Sequence, residues 1–134
     1  MHLSQDPAAT SVDGDHKVCE AIEALPDRDT MHSWVTRFAL LADPTRLTLL
    51  LCIHRVGEIC VTDLALAAGL KDTTTSQALR LLRAQGLVAA ERAGRVVRYS
   101  LADDTVHALL HQIADASGAV GPGGAVGPGS TATG

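Results

Sequence analysis

Apolar residues recur along this chain with two different periods, and the switches between them outline a fold. From 31 to 42, "MHSWVTRFALLA" puts Met31, Trp34 or Val35, Phe38 and Leu41 on one face of a 3.6-residue repeat, which predicts an amphipathic helix. "DPT" then punctuates: Asp43 suits a helix N-cap and Pro44 the first helical position. The segment "PTRLTLLLCIHRV" is apolar nearly all round, so it predicts a central helix, stopped by Gly57. "EICVTDLALAAGL" opens like a strand or loop and turns into a small-residue helix, with Cys60 and Asp63 three apart where that helix begins. After the break "KDT" comes "TTSQALRLLRAQGLV", a second helix, and the pair reads as a helix-turn-helix. Leu64 and Ala67 or Ala68 face inward in the first helix; Leu79, Leu82 and Leu87 do so in and after the second. Thr74, Ser76, Gln77, Arg80 and Arg83 are left on the outer side, and Gly86 sits where a C′ residue stops the helix.

The period then changes to two. In "LVAAERAGRVVRYSLAD", Val88 and Ala90, then Val97, Tyr99 and Leu101, alternate as two short strands around "RAGR", a β-hairpin with an arginine-rich tip. A last helix, "DDTVHALLHQIADA", carries Val106, Leu109, Leu110 and Ile113 on one face. The predicted fold is mainly α with a β-hairpin wing, a winged helix-turn-helix over residues 31–116. Residues 1–30 read as a polar, acidic arm, at most partly helical around "KVCEAIEAL". Residues 117–134, with "AVGPG" twice, have too little apolar side chain to bury and read as a disordered tail.

Composition narrows the picture. Apolar residues make up 46% of the 134 and aromatics 2%, so the core must be aliphatic. The longest near-continuous apolar run, Leu47 to Ile53, is too short for a bilayer, and the N-terminus has neither the basic nor the apolar region of a signal peptide. Three widely spaced cysteines do not make a disulfide scaffold; they fit a reducing cytoplasm, where free thiols are available to metals. There is no Gly-rich phosphate loop, no His-Glu-x-x-His, no CxxC and no nucleophile–base pair, which argues against an enzyme.

Net charge is −4, but it is unevenly spread. Residues 1–30 hold seven carboxylates against Lys17 and Arg28, whereas residues 71–100 hold Lys71, Arg80, Arg83, Arg92, Arg95 and Arg98 against Asp72 and Glu91. A basic block that coincides with a polar helix face and an arginine wing is the footprint of double-stranded DNA. The second helix of such a unit enters the major groove, where Thr74, Thr75, Ser76, Gln77, Arg80 and Arg83 are the candidate contacts. Gln can bond adenine through two hydrogen bonds and Ser or Thr can serve several bases. Arg92, Arg95 and Arg98 on the wing are placed for phosphates.

Together, "LADPTRLTLL", "EICVTDLALAAGL", "TTSQALRLLRAQGLV" and "AGRVVRYSLAD" resemble the ArsR/SmtB family of bacterial metal-sensing repressors, in the same order over roughly residues 31–113. The resemblance implies a homodimer that binds operator DNA without metal and lets go when metal binds, derepressing an efflux or detoxification gene. Many members have Ser-His near the start of the recognition helix where this chain has Ser76-Gln77, so the resemblance carries over the fold and not the base preference. Arsenic and cadmium members often read Cys-Val-Cys-Asp at the first of the paired helices; here it is Cys60-Val61-Thr62-Asp63, without the second thiol. Members resembling the cyanobacterial zinc sensor complete that site from an N-terminal arm reaching across the dimer, and "DHKVCE" supplies His16 and Cys19. The implied ligands are Cys19, Cys60, Asp63 and His16. Such mixed S, N and O donors suit tetrahedral Zn²⁺, and two thiolates also suit Cd²⁺ or Pb²⁺. A helix N-terminus favours the negative charge of a thiolate and a carboxylate.

A second family location uses Asp-x-His and a later His pair on the last helix. Asp103 matches its first position, but Thr105, Ala116 and Ala119 occupy the others, so that site is dismantled. His107 and His111, four apart on one face with Asp104 three before His107, read either as polar residues on a dimer helix or as a metal pair of their own, and Cys52 reads as core packing. Two other functions stay open at this level: an As(III)- or redox-responsive thiol repressor using Cys19, Cys60 and Cys52, and a metal-buffering or interaction protein that binds no DNA.

Overall fold

The computed structural model describes residues 14–120, with side chains described for 14–117. The chain divides into two units, residues 1–36 and 37–134.

In the first unit, α1 spans Gly14–Glu23 and buries none of its residues. Val18 is 48% exposed and Ile22 61%. Helix α2, Arg28–Leu41, starts three residues before the predicted boundary at 31. The reason is a cap: an Asp27 carboxylate oxygen accepts from the Thr30 N–H at 2.7 Å. These Thr30 bonds, backbone first, hold the Asp27 carboxyl below its ordinary range. The arm is therefore more helical than its composition suggests.

The second unit starts from local stops and caps. Helix α3, Pro44–Val56, has the predicted Pro at its start, and the Asp43 side chain accepts from the Arg46 N–H at 3.0 Å. The Arg46 guanidinium in turn donates to Leu40 and Ala39 carbonyls at 3.0 and 3.3 Å, satisfying the end of α2. After Gly57, strand β1 covers Glu58–Cys60 and runs into α4, Val61–Ala68. Gly69 stops α4 with φ 71°, and Leu70 N–H donates to the Ala65 carbonyl at 2.9 Å. That left-handed residue reverses the chain in a tight turn that a β-branched side chain would strain.

Helix α5, Asp72–Ala84, begins inside the predicted break "KDT", two residues before the expected start at Thr74, so the turn between the paired helices is shorter. Gly86 closes α5 as predicted: Leu87 N–H donates to Leu82 and Gly86 N–H to Arg83, at 2.9 and 3.0 Å. Strands β2, Val88–Ala93, and β3, Val96–Leu101, form the hairpin, with only Gly94 and Arg95 between them. The sheet has three strands, not two: its order is β1-β3-β2, with β1 paired antiparallel to β3. Helix α6 spans Asp104–Val120, past the predicted start of a tail at 117. Alanines and Ser117 continue the helix there, and Gly121-Pro122 follows in the sequence, a pair that disfavours further helix. The rest of the predicted tail, 121–134, lies outside the described residues, as do residues 1–13 of the arm.

The core is aliphatic throughout. Leu49, Leu50 and Ile53 of α3 meet Leu64 of α4, Leu79 and Leu82 of α5, Leu87, Val88, and Val106 and Leu110 of α6, all buried. Burying one such side chain is worth about 1.5–3 kcal/mol. Helix α3 packs against α4, α5, α6, β1 and β3, so one core holds the paired helices and the hairpin together. No helix of the described residues is long and apolar enough to cross a membrane.

Candidate nucleic-acid interface and metal ligands

Helix α5 separates its faces cleanly. Leu79 and Leu82 are buried, while Thr74, Gln77, Arg80 and Arg83 are exposed and Ser76 is half-buried. Thr75 does not join them. It is fully buried, and its hydroxyl donates to the Lys71 carbonyl at 3.0 Å. Thr75, Leu79 and Leu82 are spaced four and three apart, on one helical face, so the period that located the leucines already excluded Thr75 from the outer face. The expected base contact at Thr75 is corrected accordingly: its hydroxyl serves the turn, not solvent.

On the wing, Arg92, Arg95 and Arg98 are exposed. Arg92 lies opposite Val97 and Glu91 opposite Arg98 in the hairpin register. Arg98 also reaches Glu58 of β1 at 3.5 Å, so part of its charge is already neutralised by a neighbouring strand. Arg95, one of two turn residues, projects at the tip.

The four implied metal ligands fall on different parts of the chain. His16 and Cys19 lie three apart on α1, hence on one side of that helix; Cys19 is an exposed free thiol. His16 Nε2 stands 3.3 Å from Glu20. Cys60 is a half-buried free thiol at the N-cap of α4, and no side chain caps that helix by hydrogen bond. Asp63 is exposed in the first turn. Among the described residues, no three His, Cys, Asp or Glu of one chain form a closed ligand set.

Cys60 has a second placement that the sequence did not reveal. As the last residue of β1 it lies opposite Arg98 of β3. Cys60, Val61 and Thr62 share a surface depression with Arg95, Val96 and Val97. One residue thus ends a strand hydrogen-bonded to the wing and opens the first helix of the paired unit.

Asp103 is also resolved in role. One carboxylate oxygen accepts from the Thr105 and Val106 N–H groups at 2.9 and 3.0 Å, capping α6. The other accepts from Arg37 Nε at 2.9 Å. Burial pushes the Asp103 carboxyl up, but the Arg37 bond and the two backbone donors outweigh it and hold it below its ordinary range. This carboxylate is structural. His54 is half-buried, with its ring against those of His107 and His111. Cys52 packs half-buried against the core, as expected.

Comparison with known proteins gives this geometry a family. Residues 43–90 match the model described as "Bacterial regulatory protein, arsR family". The chain is 47% identical over 78 residues to "Transcriptional repressor SmtB homolog" of Synechocystis sp., covering 58% of each chain. The match thus spans little more than half the length of that relative. It is 36% identical over 98 residues to "HTH-type transcriptional repressor SmtB" of Mycobacterium tuberculosis, covering 73% of this chain and 70% of that one. Among solved structures, an antimony-specific transcriptional repressor, AntR, superposes with a TM-score of 0.62 at 34% identity, over 70% of this chain and 88% of that one. With the fold, the paired helices and the matched segments in agreement, the chain belongs to the arsR family of bacterial regulatory proteins.

Proposed function

We propose that the protein is a metal-responsive transcriptional repressor of the cytoplasm. It binds operator DNA as a metal-free homodimer and is released by a thiophilic divalent ion, Cd²⁺, Pb²⁺ or Zn²⁺, derepressing a metal efflux or detoxification gene. Helix α5 offers Thr74, Ser76, Gln77, Arg80 and Arg83 to the major groove, and Arg92, Arg95 and Arg98 offer charge to phosphates. The dimer reading is supported by apolar side chains that one chain leaves exposed: Val35 at 55% and Phe38 at 53% on α2, and Ile22 at 61% on α1.

The observation that carries the regulatory reading is the double membership of Cys60. It stands at the N-cap position of α4 and opposite Arg98 in the strand register of the wing, so a ligand drawn to this thiol acts on both halves of the reader at once. Cys60 and Asp63 would supply two donors, and His16 and Cys19 of a second copy the other two. A bound divalent ion would supply the attraction that holds arm and helix together. The coupling needed for an ordinary switch is about 1–3 kcal/mol.

The test is fluorescence anisotropy, without oxygen, on a duplex selected from a random pool by the metal-free protein. Cd²⁺, Pb²⁺, Zn²⁺ and As(III) are titrated into wild type, Cys19→Ser and Cys60→Ser. Release by a divalent ion, lost in both variants, supports the reading. Release that persists in Cys19→Ser, or metal that tightens binding, overturns it. The likeness to an antimony-specific repressor favours one second reading, an As(III)-type inducer held by thiolates alone. In that case His16→Ala and Asp63→Ala leave release intact. A metal-buffering protein without DNA binding is separated by Arg80→Ala and Arg95→Ala, which weaken operator binding only if the reader reads.

A further inference from the structure

Three imidazoles meet where α3 packs on α6. The ring centroid of His54 lies 4.9 Å from that of His107 and 5.6 Å from that of His111. His54 is half-buried near the end of the central helix; His107 and His111 are exposed, one turn apart on α6 and on one face. One turn further, a carboxylate oxygen of Asp115 stands 3.4 Å from His111 Nε2. Arg55, next to His54 in the chain, lines a surface pocket of about 580 Å³ together with His54, His111 and Asp115. Among the described residues no three His, Cys, Asp or Glu are placed to hold a metal ion, so the chemistry of this cluster is that of its protons.

Imidazole is the side chain whose charge ordinarily changes between about pH 5 and 8. Neutral rings present flat, weakly polar bodies that pack between two helices. Protonated, all three are cations beside the Arg55 guanidinium, and Asp115 is the carboxylate set against them. Like charges at this range repel, the more so where a ring is partly shielded from water. His54 registers both effects: burial first, then His107 and His111, with a smaller push from Arg55, lower its pKa, against an opposite pull from Asp115. The fold therefore favours the neutral ring, and an unfolded chain takes up the proton first. The stability of this contact is complete above the ordinary imidazole value of about 6.5 and is lost as pH falls from there through the lower folded value. The carboxyls of Asp27 and Asp103, held below their own ordinary range, titrate in stronger acid and leave that window to the imidazoles.

We propose that His54, His107 and His111 form a proton switch that seats the last helix: neutral rings clamp α6 to α3, and mild acid charges them and loosens α6. The seat matters because α3 also packs against α4, α5, β1 and β3. A change at its contact with α6 therefore reaches the element on which the paired helices and the wing are built. Proton uptake here requires neither the thiols nor a divalent ion, so the switch is a second input, of different chemistry, into the same fold.

The test uses the full chain with a chelator and without DNA, followed by nuclear magnetic resonance from about pH 7.5 to about pH 5.5. The His54 ring should titrate below the ordinary imidazole value. Amide hydrogen exchange, corrected for its intrinsic pH dependence, should show the α6 amides of Leu110 and Ile113 losing about tenfold more protection than those of Leu79 and Leu82 in α5. His54→Gln should abolish that difference. In case this half-buried position does not tolerate Gln, the exposed pair His107→Gln/His111→Gln should do the same and move the His54 midpoint up toward its ordinary value. Asp115→Asn, which removes the opposing carboxylate, should move that midpoint further down. The proposal fails if His54 titrates at or above the ordinary value, if α5 and α6 lose protection equally, or if the variants keep the wild-type response. Neither operator nor metal enters these readouts, so failure here and failure of the thiol sensor are told apart.

Discussion

Helices α5 and α1 are both amphipathic, yet one is finished within the chain and the other is not. Helix α5 sinks Thr75, Leu79 and Leu82 and turns its polar side outward. Helix α1 buries nothing, and Val18 and Ile22 stay in water. The same period therefore means two things: in α5 it marks a face already satisfied, in α1 a face left exposed among the described residues. An amphipathic pattern marks a face fit to be covered, not what covers it.

The sharpest way to break this contrast is truncation on each apolar face. Leu79→Ala should lower unfolding free energy by about 2–5 kcal/mol in denaturant titration, because it empties a buried site. Ile22→Ala should leave the dilute chain within about 0.5 kcal/mol, the range of surface changes, while weakening self-association in sedimentation. Equal losses for the two would mean that α1 is covered within the chain after all.

Next comes the polar side of α5. Gln77→Ala should cost about 1–3 kcal/mol of discrimination at one base pair, with the melting temperature unchanged. Thr75→Val should do the reverse: operator affinity holds, while stability falls by about 1 kcal/mol from the lost hydrogen bond. On the wing, Arg95→Ala should weaken binding to all duplexes alike and reduce the slope of log K against log salt by about 1. A sequence-dependent loss at Arg95 would move that residue from phosphates to bases.

The smallest effects compare caps in the two units. Asp103→Ala should cost about 0.5–2 kcal/mol; Asp27→Ala should cost less, since Asp27 has no guanidinium partner at its cap comparable to Arg37. Because the folded-state pKa of Asp103 is depressed, its contribution is present above the unfolded carboxylate value and is lost as pH falls through the folded one. Acid titration of stability should therefore show a shallower fall in Asp103→Ala than in wild type, read by thermal unfolding from neutral to acidic buffer.

Local rules were legible where a signal sits within a few residues. Asp43, Pro44, Gly57 and Gly86 mark boundaries that the structure keeps. Asp27 performs the same task as Asp43 but stands among other acids of the arm, where one carboxylate cannot be told from its neighbours by pattern. Asp103 was matched to a ligand position by its alignment; its true partners, Arg37 and two N–H groups, include a residue 66 positions away. β1 is three residues long, below what alternation can detect, and only pairing with β3 defines it. The His54 cluster joins α3 to α6 and leaves no trace in spacing beyond His107 and His111. On α5, periodicity accounts for every side-chain placement, Thr75 included, once Thr75 is counted with Leu79 and Leu82.

Cys60 joins two elements, whereas Thr62, two residues on, lies in the first turn of α4 alone and its side chain is exposed. The position is thus cheap to vary. Selection for a different inducer can change the donor set at Thr62 without touching the strand end, the helix start or the core, so the chemistry of sensing is free to drift while the architecture of reading stays still.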